Sequence, residues 1–402
     1  MPSPDNVSTP ARSILHLDAD AFYASVEQAA DSRLRGKAIA VGGASRGVVA
    51  SASYEARARG VRTAMPTSRA RRLCPELILV PGDFAKYERF SQLMFSYAYD
   101  LTPDVEICSI DEGYFDLSGQ SKGHPRDSAA KLSEAVRQSL KITISQGLAA
   151  TKFASQVASK LKKPNSYLEV EPGKEREFLA PLPSRWLPGI GTRSEPLYLQ
   201  AGLARIEQVA ALELDDLELL AGSSASSLKL FAQGIDPRPV IPAPPAPKSV
   251  GEQETFSADT IDENFVLAVL RTMTDRLCRR LREDGLAART VTLRIRYNDM
   301  EETMRSDSLD EPSPVETDFY PKLAPLLKRA WERRVSLRLA GVRLSHLHAA
   351  LPEPELPLEG LPGKTLTERM QLAEASDLIR RRYGKGAIVR GHDLWLKKKN
   401  LD

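Results

Sequence analysis

The chain has 402 residues, 27% of them charged and 42% hydrophobic, with 56 Lys+Arg against 53 Asp+Glu. That composition excludes a disordered polyelectrolyte, and no apolar run approaches the ~20 residues a membrane span needs. A net charge of +3 is too small to reveal a polyanionic partner, so the placement of charges has to decide. Two to four domains are expected at this length. The cysteines Cys74, Cys108 and Cys278 are widely spaced and odd in number, and read as buried thiols in a reducing compartment. Residues 1–11 carry no signal-peptide segment and read as a disordered leader.

In chain order, residues 12–18 form an apolar strand that ends abruptly in Asp18 and Asp20, with Phe22 and Tyr23 just beyond. Charge at the end of a core strand is costly to desolvate unless a partner waits there. "GKAIAVGG" and "GVVASASYEARARGV" supply two short strands and a helix start, bounded by glycines. Phe84, Tyr87, Phe90, Leu93, Met94 and Tyr97 recur at three- and four-residue steps, which predicts a long amphipathic helix. "VEICSIDEGYFDL" predicts a hairpin with "SIDE" at its turn. A helix over about 127–140, the strand "KITISQGLAA" and the helix "TKFASQVASKLKK" follow. This mixed order is compatible with helices packed on one face of a sheet. From residue 171 short helices are broken by "PLPSRWLPGIG", and proline density peaks at "DPRPVIPAPPAPKS" (236–249), an interdomain linker by composition. Residues 248–348 read as strand, long helix, strand, helix and strand, with an acidic loop over 299–318. The tail from 349 opens proline-rich and closes with the basic helix "SDLIRRRYGKG".

Asp18 ends one strand, and Asp111 and Glu112 sit at the turn of a hairpin able to lie beside it. Three converging carboxylates repel one another unless a cation neutralises them. Oxygen ligands without histidine or thiolate select Mg²⁺ or Mn²⁺ over zinc. Two such ions about 3.5–4 Å apart would clamp the attacking and leaving oxygens of an in-line phosphoryl transfer. Taken alone, each acidic pair would more often be a solvated turn. The basic and aromatic set nearby shifts the balance: Tyr54 and Arg57 share a helix face, and Lys163 precedes Pro164 at a helix end. Together they suit a triphosphate through charge-assisted hydrogen bonds.

"LDADAFYASVEQ", "GVVASASYEARARGVRTAMP", "SIDEGYFDLSG", "GLAATKFASQVASKLKKPN" and "LPGIG", in that order and spacing, resemble the Y-family DNA polymerases, nearest their DinB branch. The resemblance covers about residues 12–348. It implies an α+β multi-domain, right-hand polymerase: a ferredoxin-like palm (12–21 and 84–170), small fingers (22–83) and a helical thumb with a helix–hairpin–helix (171–240). A linker (241–247), an α/β little finger (248–348) and a C-terminal tail (349–402) complete it. Carried over by position, Asp18, Asp111 and Glu112 are the implied catalytic metal ligands, and Ala19 lends its carbonyl. Phe22, Tyr23, Tyr54, Arg57 and Lys163 are the implied nucleotide contacts. Tyr23 is the implied steric gate against the 2′-hydroxyl of a ribonucleotide. Asp20 matches no ligand position and reads as an outer or solvated acid. Cys108 before "SIDE" and Gly113 after it depart from the commonest family pattern without removing a ligand.

"LPGIG" (187–191) followed by Thr192 and Glu195 reads as a tight turn into a helix with a capping box. Backbone N–H groups at Gly189, Gly191 and Thr192 would face a DNA phosphate. In "RTVTLRIRYND", Val291, Leu293 and Ile295 point one way and Thr292, Arg294 and Arg296 the other. Arg343 and Ser345 alternate likewise in the last strand. Such a face suits DNA phosphates without reading sequence.

The expectation is therefore a template-directed, low-fidelity DNA polymerase without proofreading, a monomer in the cytoplasm at the nucleoid. It takes primer-template DNA and deoxynucleoside triphosphates, uses two Mg²⁺ (Mn²⁺ as substitute) and has no membrane partner. Competing classes are a non-catalytic DNA-damage adaptor, which would lack the carboxylates, and a nucleotide cyclase, which would not need the hairpin or the arginine-bearing second domain. Bacterial relatives often end in a clamp-binding peptide resembling "QLPLF". Residues 355–359 read "ELPLE", without the amide or the aromatic anchor, which predicts either poor docking on the sliding clamp or a docking site elsewhere.

Overall fold

The computed structural model describes residues 12–43, 46–119, 124–243, 246–350, 366–384 and 386–399. The expected leader (1–11) and the peptide at 355–359 lie outside them. The chain divides into two compact units, residues 1–244 and 245–402.

In the first unit, Ile14–Ala19 is the middle of a five-stranded sheet and all six of its residues are buried. It runs antiparallel to Glu112–Asp116 on one side and to Ile144–Ala149 on the other. Val105–Ile107 and Tyr167–Glu169 form the edges. The expected hairpin is thus present, between Val105–Ile107 and Glu112–Asp116. Strand alternation divides the central residues between two faces. Leu15 and Leu17 join a core with Tyr87 and Met94 of helix Phe84–Tyr99 and Leu132 and Val136 of helix Pro125–Leu140. His16 and Asp18 point the other way, toward helix Lys152–Leu161. The sheet therefore carries helices on both faces, not on one as the element order suggested. The reason is the parallel pair Ile144–Ala149 and Tyr167–Glu169, which needs a crossover helix. That helix presses on Gly147, where a Cβ would stand 2.1 Å from the Ser155 carbonyl oxygen and 2.5 Å from the Ser159 nitrogen.

Val49–Ala52, Ile39–Gly42 and Ile78–Val80 make a small second sheet around Ala40, Val49, Val61 and Cys74. Short helices from Glu175–Leu179 to Ala225–Ala232 enclose Leu179, Ile206, Leu217 and Leu228. The proline-rich stretch is not free along its whole length. The buried Asp236 carboxylate accepts from the Phe153 backbone N–H at 3.0 Å and pairs with Arg238. The Ile241 N–H donates to Glu106 at 2.7 Å, and Lys152 Nζ donates to the same carboxylate. Residues 236–241 are thereby laid against the sheet.

The second unit is a four-stranded antiparallel sheet in the order Glu302–Ser313, Leu286–Tyr297, Leu337–Ala349, Ser249–Thr260. Helices Glu263–Glu283 and Glu316–Ala330 cover its apolar face, with Val291, Leu293 and Ile295 fully buried beneath them. Glu302–Ser313 occupies the stretch that reads as an acidic loop. Its "ETMRSDSLDEPS" carries only scattered apolar side chains, Met304 and the half-buried Leu309, too few to mark a strand, and backbone pairing with Leu286–Tyr297 orders it. The basic helix of the tail is the C-terminal part of Leu366–Tyr383. This helix and Gly391–Lys399 dock on the unit through polar contacts: Arg282, itself held by Glu316, pairs with Asp377, and His392 Nε2 shares a hydrogen bond with Asp275 at 2.9 Å.

Adding one methyl at Gly147 forces helix Lys152–Leu161 off the sheet. Gly147→Ala should cost about 2–4 kcal/mol of first-unit stability, measured by chemical denaturation. A cost below about 0.5 kcal/mol would show that the helix yields freely.

Candidate active site

The site begins with strand register. Asp18 stands directly opposite Glu112 on the neighbouring strand, and the Ala19 N–H donates to the Asp111 carbonyl at 2.9 Å. The turn is shaped by Ser109, whose hydroxyl donates to Asp111 Oδ1 (2.5 Å) and accepts from the backbone N–H groups of Asp111 (3.3 Å) and Glu112 (3.2 Å). Gly113 is required there, since a Cβ would lie 2.9 Å from both the Glu106 carbonyl oxygen and the Phe95 ring. Cys108, expected to be buried, is exposed on this turn. Its backbone N–H bonds back to the Glu112 carbonyl, which aims the side chain away from the core.

Two ammonium groups face the carboxylates. Lys163 Nζ pairs with Asp18 Oδ1 and lies 3.3 Å from the Ala19 carbonyl oxygen and 3.6 Å from Asp20 Oδ1. Lys160 Nζ bridges Glu112 Oε2 at 2.7 Å and Asp18 Oδ2 at 3.7 Å. Burial raises the Asp18 carboxyl above its ordinary range, with Lys163 and Lys160 opposing the shift and Glu112 adding to it. Burial also works against the Lys160 charge, yet Glu112 and Asp18 hold its pKa above the usual lysine value. The sequence motifs singled out Lys163 alone. Lys160, one helical turn earlier in "SKLKK", could have been found only by assigning the helix face.

Asp20 is 1% exposed, so it is neither solvated nor free. It accepts from Thr143 Oγ1 and Ser145 Oγ at 2.8 Å and from the Asn165 N–H at 2.7 Å. These bonds tie the strand end to two neighbouring segments. Immediately after it Ala21 adopts a left-handed conformation (φ 45°), a strained geometry for a residue with a Cβ, as strand turns into helix Phe22–Ala30.

Asp18, Ala19, Ala21, Tyr23, Arg57, Asp111, Lys160 and Lys163 line one open cleft. Phe22 touches it but is mainly core, at 3% exposure. Tyr23 presents its ring to the cleft and stacks on Tyr87 at 4.4 Å between centroids. Tyr87 is fully buried and donates its hydroxyl to Glu27 (2.7 Å), which also holds Lys86. No local signal pairs Tyr23 with Tyr87, because the two lie far apart in the chain. Arg57 lies over the Tyr54 ring at 4.8 Å and donates through Nε to the Ala52 carbonyl. The Tyr54 hydroxyl is buried without a hydrogen-bond partner, and burial together with the Asp20 charge pushes its pKa up to about 12. A buried donor left unpaired is a cost that an anionic ligand would remove.

The donor set fits a hard divalent cation: three carboxylates and the Ala19 carbonyl, with two tethered ammoniums beside them. Among the described residues, the one triple of potential ligand atoms mutually within 4.8 Å is Asp275, His392 and Asp393, in the second unit, and Asp18, Asp111 and Glu112 stand wider than that. Arg390 and Tyr320 already occupy Asp275 in the second-unit triple.

The remaining predicted contacts lie elsewhere. Gly189 (φ 91°), Gly191 and Thr192 are exposed in a turn between Ser184–Trp186 and helix Glu195–Gln200. The capping box on Thr192 and Glu195 does not form. A helix capped at Thr192 would put Pro196 where its missing N–H is needed, so the helix starts at Glu195, which faces Arg185. Arg294 and Arg296 do point outward, but both share Glu302, at 2.6 and 2.5 Å. Arg343 is exposed beside them, in a groove that also includes Thr292 and Gly341.

His16 lies beneath Glu112. Ser159 Oγ donates its proton to the Gln156 carbonyl, so His16 Nδ1 donates to Ser159 Oγ at 2.7 Å. That leaves Nε2 an unprotonated, unpartnered acceptor 3.9 Å from Glu112 Oε2. Burial, then the charges of Lys160 and Lys163, hold the His16 pKa well below 6.5. The unfolded chain therefore gains a proton below pH 6.5 that the folded chain refuses, and stability is lost as pH falls. The His16→Gln variant should lose less stability between pH 6.5 and about pH 5, by up to ~1.4 kcal/mol per pH unit. Equal slopes in denaturation at the two pH values would refute a neutral buried imidazole.

Residues 17–160 match the model of the impB/mucB/samB family, and residues 247–356 match that family's C-terminal domain. Among curated relatives, DNA polymerase IV of Opitutus terrae is 40% identical over 385 residues, 95% of this chain and 97% of that one. DNA polymerase IV of Desulfatibacillum aliphaticivorans is 37% identical, over 93% of this chain and 95% of its own length. In fold, the chain is similar to a Y-family DNA polymerase chimera (TM-score 0.75) and to an insertion ternary complex of Dbh DNA polymerase (TM-score 0.60). Each is 24% identical and covered over 98% of its length, against 83% of this chain.

Proposed function

The chain belongs to the impB/mucB/samB family, and from that membership and the geometry of the cleft we infer how it works. It is a DNA-directed DNA polymerase of the Y family, a low-fidelity enzyme of translesion synthesis. The observation that carries the chemistry is the register that sets Asp18 opposite Glu112, with Asp111 bonded to Ala19 through its backbone and Tyr23 lining the same cleft as Asp18 and Asp111.

Asp18, the Ala19 carbonyl, Asp111 and Glu112 would hold two Mg²⁺ ions, or Mn²⁺ in their place, which supply a lowered pKa at the primer 3′-hydroxyl and charge neutralisation at the triphosphate. The protein's own groups do the rest. Arg57 and the Tyr54 hydroxyl reach the triphosphate from one side, and Lys163 leaves Asp18 to meet it from the other. Phe22 and Tyr23 lie beneath the incoming sugar. The palm is assigned to 12–21 and 84–170, the fingers to 22–83, the thumb to 171–240 and the little finger to 248–348. The Gly189–Thr192 turn and the face bearing Arg294, Arg296 and Arg343 contact DNA phosphates, the latter with charge reduced by Glu302. The enzyme works as a monomer on DNA at the nucleoid, and the peptide 355–359, without the amide and the aromatic anchor, is a poor match for the sliding clamp.

Asp111→Ala should abolish nucleotide addition in a primer-extension assay with Mg²⁺ while leaving DNA affinity within about twofold, because the DNA meets other surfaces. Substantial extension by this variant would sink the two-metal reading.

For the gate, the ring of Tyr23 is backed by Tyr87 and cannot retreat from a 2′-hydroxyl. A clash of ~2–4 kcal/mol gives roughly thirty- to a thousandfold discrimination. Tyr23→Ala should lose most of it while still adding deoxynucleotides, and Tyr87→Ala should lose part. Ribonucleotide exclusion unchanged in a folded, active Tyr23→Ala would end the assignment.

A further inference from the structure

We propose that Lys160 is a built-in counter-cation of the Asp18–Glu112 pair, one that divalent metal must displace from Glu112 in order to bind. The inference rests on the reading of those carboxylates as metal ligands. It is carried by geometry: the ammonium bridges Glu112 Oε2 at 2.7 Å and Asp18 Oδ2 at 3.7 Å, from the last turn of helix Lys152–Leu161. The helix is pinned at its other end by Lys152 on Glu106 and by the Phe153 N–H on Asp236. It is also seated on Gly147. Lys160 is therefore delivered to the carboxylates by a fixed element and not by a wandering surface chain.

Its position differs from that of its neighbour. Lys163 holds Asp18 Oδ1 and lies beside two backbone carbonyls and Asp20 Oδ1 of the same segment, whereas Lys160 alone spans both strands. Without a cation, two carboxylates facing each other in strand register would push the strand ends apart. Lys160 keeps them in place. The same oxygens are those a metal needs, so the bridged state is closed to metal, and apparent affinity falls by the fraction of time the site is open. Lys160 is thus a positioning residue that sets the metal concentration at which the site fills.

The test uses the full chain and Mn²⁺ alone, with free Mn²⁺ read by electron paramagnetic resonance, and melting followed in EDTA. Lys160→Gln should bind Mn²⁺ about three- to tenfold more tightly, corresponding to a bridge present for most of the time. It should also melt at a lower temperature in EDTA than the parent protein. Lys160→Arg keeps the charge and adds a second donor for Glu112, so it should bind Mn²⁺ no more tightly than the parent. Unchanged or weaker Mn²⁺ binding by Lys160→Gln overturns the proposal, as does tighter binding by Lys160→Arg, which decides the matter if the Gln variant fails to fold. Asp111→Ala separates the two failures. If it binds Mn²⁺ like the parent, the metal-ligand reading itself has failed. If it loses Mn²⁺ while Lys160→Gln is unchanged, only the counter-cation is refuted.

Discussion

Like charges at the ends of adjacent buried strands repel, and the register that sets Asp18 against Glu112 makes this repulsion permanent. The structure answers it with one helix. Lys152–Leu161 and the residues just beyond it bring Lys160 and Lys163 to the carboxylates, and closeness is the condition for both contacts. Gly147 is the concession the sheet makes so that the helix backbone can approach. A lysine on a more distant helix would have to stretch through solvent, where screening reduces the interaction to little.

The same helix connects the cleft to the rest of its unit. At its start Lys152, 5% exposed, is satisfied by Glu106, and Glu106 in turn receives the Ile241 N–H. The Asp236 carboxylate receives the Phe153 N–H. Residues 236–241 thereby report on the helix position at its N-terminal end while the carboxylates report on it at the other. A buried charge with one partner is fragile; here each has two or three.

The opposite wall of the cleft is built by a different principle. Tyr23 owes its position to packing, stacked on a Tyr87 that is itself anchored by Glu27 and Lys86. The left-handed Ala21 and the three hydrogen bonds on Asp20 fix where helix Phe22–Ala30 begins, and so where that ring stands. Charge holds one side and stacked aromatic rings hold the other.

What was legible in the sequence was whatever carries its own local signal. The strand ending at Asp18 shows as an apolar run and the helix Phe84–Tyr99 as a three- and four-residue period, although Phe84 and Leu93 of that period stand exposed, and the run from Asp18 to Tyr23 keeps its chemistry contiguous. Arg57 and Tyr54 were readable as a pair because one helical turn separates them. Tertiary structure alone decided the rest. Glu302–Ser313 is a strand because a neighbour's backbone pairs with it, and backbone hydrogen bonds are the same for every side chain. That strand then delivers Glu302 to Arg294 and Arg296, so the charge of the outer face could not be counted from its own residues. The capping box at Thr192 was overruled by Pro196, and Asp20 became a structural acid through partners more than a hundred residues away. Lys160 shows the limit most clearly. Its residue type and helix were visible, but which carboxylate an ammonium meets depends on how far a helix sinks onto a sheet, and that distance was decided by the absence of a side chain at Gly147.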